Sequence, residues 1–128
     1  MDRSPHRKPR LHFDVAANPA HITFDDGKEQ RRNIPWLHYD EACWDYAEPD
    51  TIRMEIGECV VIIRGHDLAP LFLAIEDQTL MRIGAQPELE QEGEREMDTF
   101  AVEIQFLRWL RLLAGEMGKP SSISVWND

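Results

Sequence analysis

Between Thr51 and Arg64 the residues alternate so regularly that only one pairing of the chain with itself buries an apolar face. Ile52, Met54 and Ile56 alternate with Thr51, Arg53 and Glu55, the period-two mark of a half-buried strand. Gly57-Glu58 follows. A glycine suits the first central position of a two-residue type II′ turn, where φ must be positive. Counting outward from that turn sets Ile56 opposite Cys59, Met54 opposite Val61 and Ile52 opposite Ile63, a wholly apolar face. The other face pairs Glu55 with Val60, Arg53 with Ile62 and Thr51 with Arg64. A slip of one residue would move charges onto the apolar face, so the hairpin specifies its own register.

Gly65-His66-Asp67 breaks the second strand, and a helix is expected to run from there to Gly84. Asp67 is its expected N-cap, Pro70 falls in the first turn, and Gly84 is the expected C′ residue. Leu68, Leu71, Phe72, Ile75 and Thr79 recur at helical spacing and form the core stripe. Ala69, Leu73 and Leu80 form a second stripe, which either the acidic loop or the C-terminal tail, or else a second subunit, must cover. Each buried leucine is worth about 1.5–3 kcal/mol. Glu76 lies between the stripes and is expected to pair with Arg53 or Arg64, or to face a ligand.

The flanking segments read less sharply. Residues 1–19 form a basic arm with Arg3, Arg7, Lys8 and Arg10 near its start and three prolines, Pro5, Pro9 and Pro19. Such a segment is expected to be flexible. Ala20–Phe24 reads as a strand, Asp26-Gly27 as a hairpin turn, and Lys28–Asn33 as a charged edge strand. The aromatic stretch Trp36–Tyr46 holds two Trp, two Tyr, His38, Cys43 and three acids. There Asp40 is expected to cap a helical turn over 41–46. Residues 85–98 read as an acidic loop. Residues 99–107 read as a strand, 108–115 fit strand or helix, and Ile123–Trp126 fits a last short strand.

The expected architecture is therefore α+β: one antiparallel sheet of about four to six strands, built from two hairpins and a C-terminal strand, with one main helix packed on it. The domain spans 20–128 behind the 1–19 arm. A net charge of −10 disfavours nucleic acid and anionic membrane surfaces, except through the arm. No apolar run approaches the ~18 residues of a membrane span, and no apolar segment follows the basic N-terminus. The expected compartment is the cytoplasm, with Cys43 and Cys59 reduced.

The chemistry is sparse. There is no phosphate-binding glycine loop, no nucleophile elbow and no paired-cysteine or HExxH metal motif. His66-Asp67 is a lone HD pair. Cys43, Cys59, His38 and His66 match no short zinc spacing, and Cys43 with His38 would need hydrogen-bond reach to act as nucleophile and base. No metal or cofactor is called for. The expected function is a non-catalytic binding or assembly module, a homodimer through Ala69, Leu73 and Leu80. The alternatives are a small enzyme or metal-binding protein using Trp36, His38, Asp40, Cys43 and Trp44, and a nucleic-acid accessory acting through the arm.

Overall fold

The computed structural model describes residues 9–91 and 98–108. Its elements are β1 (Phe13–Val15), β2 (His21–Asp25), β3 (Arg31–Pro35), a 3-10 turn (Trp36–His38), β4 (Tyr39–Trp44), β5 (Thr51–Ile56), β6 (Cys59–His66), α1 (Ala69–Glu76), β7 (Leu80–Gly84), a second 3-10 turn (Pro87–Gln91) and β8 (Phe100–Arg108). The chain is α+β, but its described residues form two four-stranded sheets in place of the single expected one. Their orders are β1-β7-β2-β3 and β4-β5-β6-β8. The second sheet is antiparallel throughout, whereas β2 and β7 of the first run parallel.

The central hairpin has the register read from sequence. Ile56 pairs with Cys59, Met54 with Val61 and Ile52 with Ile63, and Gly57 takes φ 63°. All six residues are buried. They join Ile22, Phe24 and Ile83 of the first sheet, Leu71 and Ile75 of α1, and Leu68 just before it in one core. The Phe24 and Phe106 rings meet edge to face at 6.3 Å and tie the two sheets together.

The helix is shorter than the apolar periodicity suggests. It stops at Glu76, and Gln78 takes φ 55° at the C′ position. Gln78 N–H donates to Ile75 O, and Thr79 N–H donates to Ala74 O. This is a Schellman close, with glutamine where glycine is usual. Leu80 and Ile83 then enter β7 and are buried against the core. The stripe Ala69, Leu73, Leu80 therefore does not exist as a helical face. Asp67 is not the N-cap either. Leu68 occupies that position without a side-chain cap, and Asp67 sits at φ 52° with its carbonyl accepting from Thr99 Oγ1. Glu76 is exposed, while Arg53 pairs with Glu48 and Arg64 with Glu103.

Two further expectations change. The 36–46 stretch is a 3-10 turn followed by edge strand β4, not a helical turn, because Tyr39, Ala42 and Trp44 pack onto the core while the residues between them face out. Of the expected arm, residues 1–8 lie outside the described residues, and Phe13–Val15 is strand β1 on β7. The first hairpin exists with β3 as an edge strand, but its loop is longer than Asp26-Gly27 alone. Asp26 Oδ1 accepts the backbone N–H groups of Lys28, Glu29 and Gln30 at 2.8–3.0 Å. Those bonds hold the Asp26 carboxyl below its ordinary value. Of the acidic loop, residues 87–91 form the second 3-10 turn and 92–97 lie outside the described residues, as does everything expected beyond Arg108.

Candidate functional site

The side chains read from sequence as a ligand segment do not converge. Trp36 is buried, its Nε1–H donating to Leu80 O at 3.0 Å, and its ring meets Tyr39 edge to face. Trp44 lies against Phe72 and donates Nε1–H to Pro49 O. Both tryptophans have structural work. His38, Asp40 and Cys43 are exposed, and Cys43 stands across from Arg53 on the outer face of β4. Cys59 is in the core and His66 stacks on Phe100 at the far end of β6. No group of three or more His, Cys, Asp or Glu side chains suited to a metal ion occurs among the described residues.

Outward-facing acids crowd the β4 edge instead. Glu41 lies directly across from Glu55, with Asp40 bonded to the Glu55 side chain. Burial first, and then Glu41 and Asp40, pushes the Glu55 carboxyl up. The Tyr39 phenol is likewise pushed up, by burial and then by Glu41, Glu76 and Asp40.

The polar groups that do converge were not singled out by sequence. A hollow of about 410 Å³ opens at one end of the first sheet. There β2 and β7 run parallel and deliver Asp25 and Gly84 side by side, while antiparallel β1 begins at the same end. His12, Asp14, Asp25, Arg82 and Gln86 line it. Beside it lies the one fully buried acid among the described residues, Asp98. Asp98 Oδ1 accepts from Arg10 N–H at 2.9 Å, and Oδ2 lies 3.3 Å from His12 Nε2, which donates to it. The carboxylate thus fixes the imidazole and leaves Nδ1 as its second nitrogen. Phe100 completes the packing, with His12 on its edge and His66 on its face. This cluster was hidden because β1 lies in the segment read as an arm and β7 in the segment read as a helix.

Comparison with known proteins adds no further assignment. No family model, curated protein or solved structure matches the chain. Among the described residues, no helix is long and apolar enough to cross a membrane.

Proposed function

We propose that this chain is a non-catalytic assembly module that self-associates through the exposed side of α1. The observation that carries the reading is the composition of that helix against its burial. Of its eight residues only Glu76 is charged, yet Ala69 is exposed and Leu73 is 56% exposed. A helix apolar all round is ordinarily covered on every side. Val15 and Met81, 53% and 40% exposed, add apolar surface near the corner where α1 gives way to β7. A two-fold contact would use this patch on both partners.

The net charge of −10 opposes such a contact, so added salt tightens it. The test is mass in solution across micromolar concentrations, for wild type and for Leu73→Glu. A dimer in wild type and a monomer in the variant support the reading. A monomeric wild type, or a variant that stays dimeric, removes it. Leu80 plays no part in this test, since it is buried in the core.

A further inference from the structure

The hollow at the end of the first sheet brings together opposite charges that do not neutralise each other. Asp14 and Arg82 are cross-strand partners in the β1–β7 ladder, and both line the hollow. Such neighbours ordinarily attract. Here the Arg82 guanidinium makes no hydrogen bond or ion pair among the described residues, and neither does the Asp14 carboxylate. Asp25 spends Oδ1 on Gly27 N–H at 2.8 Å, which leaves its second oxygen available. Gly84, paired with Asp25, has no side chain to fill the space between the strands. The volume, about 410 Å³, falls in the range of small-molecule sites.

We propose that this hollow binds a free basic amino acid of the lysine or arginine class. The site offers one cation and two carboxylates, so a ligand matching it carries one carboxylate and two cations. The ligand carboxylate sits on the Arg82 guanidinium, whose planar fork suits it. The ammonium and the basic side-chain group take Asp14 and Asp25. Gln86 and His12 supply further polar contacts at the rim, with the His12 ring already oriented by Asp98. Leu73 belongs to none of the strands around the hollow, so ligand binding and self-association can be separated by variant.

The experiment is an NMR titration of the full chain with L-lysine and L-arginine, following backbone amides. L-leucine, which lacks the second cation, and cadaverine, which lacks the carboxylate, are the controls. Saturable shifts at Gly84, Ala85 and Gln86 with lysine or arginine are expected. Arg82→Gln and Asp14→Asn should each weaken binding about tenfold or more, as for loss of one charge-assisted hydrogen bond. Cadaverine and leucine should bind weaker than lysine by a similar factor. Both substituted side chains are exposed, so the variants should keep the wild-type amide spectrum elsewhere. The proposal is overturned if neither basic amino acid gives saturable shifts at millimolar concentration. It is equally overturned if leucine or cadaverine binds as well as lysine, or if both variants bind as wild type does.

Discussion

Glu41 and Glu55 face each other directly across the β4–β5 ladder. Like charges at such positions oppose strand pairing, and Asp40 adds a third carboxylate to the site. Burial first, and then these neighbouring acids, raise the Glu55 carboxyl above its ordinary value of 4.5. Over the interval between 4.5 and the raised value the folded chain binds more protons than the unfolded chain. Stability therefore falls as pH rises through that interval, and the penalty is fully present near neutrality. Glu55→Gln, which keeps the shape and removes the charge, should raise the melting temperature near neutral pH. The difference should shrink toward zero below 4.5, where Glu55 is protonated in both states. Thermal unfolding of both proteins at neutral pH and at about pH 4 checks this. An equal gain at both pH values would mean that the charges are not the cause.

Gly65 and Gly84 should respond oppositely to alanine. A Cβ on Gly65 would stand 2.2 Å from Phe100 O and 2.9 Å from Ala101 Cα, both backbone atoms. The register shifts here, Arg64 pairing with Glu103 and Gly65 with Ala101, so β8 carries the extra residue, Val102, beside Gly65. Gly65→Ala should cost about 1–3 kcal/mol or more in urea unfolding, the cost of forcing atoms into a packed site. A Cβ on Gly84 would meet its nearest atom, Asp25 Cβ, at an ordinary 3.5 Å. Gly84→Ala should therefore be neutral or gain a few tenths of a kcal/mol from the unfolded chain. A Gly65→Ala variant as stable as wild type would show that β6 and β8 do not approach so closely.

Leu73 and Leu80, seven residues apart, should behave as different kinds of residue. Leu80 is fully buried, and Leu80→Ala should cost about 2–5 kcal/mol. Leu73→Ala should stay within about 0.5 kcal/mol in dilute monomeric solution, because its side chain already meets solvent. Chemical denaturation of both variants decides the matter. Similar losses for the two would restore the continuous helix that the sequence periodicity suggests.

What could be read from sequence follows from where local pattern and tertiary packing agree. The Thr51–Arg64 hairpin was legible to the register of each pair, since a strict two-residue period and one turn glycine leave no other choice. Strand β8 was legible for the same reason, its expected span 99–107 lying one residue from Phe100–Arg108. The stretch from Leu68 to Gly84 was misread because Thr79 and Leu80 continue the helical spacing by coincidence. The stop rests on Gln78 at positive φ, and that conformation is not a property glutamine advertises. The Trp36–Tyr46 stretch hid an edge strand because its acids suggested capping. The hollow was invisible for a topological reason. Its charged groups Asp14, Asp25 and Arg82 come from β1, β2 and β7, and β2 and β7 meet only through a parallel pairing that no local period encodes.

Asp98 should act as the clasp that holds the N-terminal edge of the first sheet. Its carboxylate is fully buried and binds Arg10 N–H and His12 Nε2, more than eighty residues back in the chain. Backbone bonds run alongside, from His12 N–H to Thr99 O and from Thr99 N–H to Arg10 O, both at 2.9 Å. Removing the carboxylate leaves the Arg10 amide without that acceptor, at a cost of about 1–3 kcal/mol for each buried group left unsatisfied. β1 is only three residues long and lies at a sheet edge, paired to β7 alone. The loss should therefore be local. In Asp98→Ala, amides of Arg10 to Val15 should exchange faster with solvent deuterium, while those of Met54 and Val61 in the central hairpin stay slow. Unchanged protection of β1 would show that the two backbone bonds suffice. Equal acceleration in the hairpin would show instead that Asp98 supports the whole core.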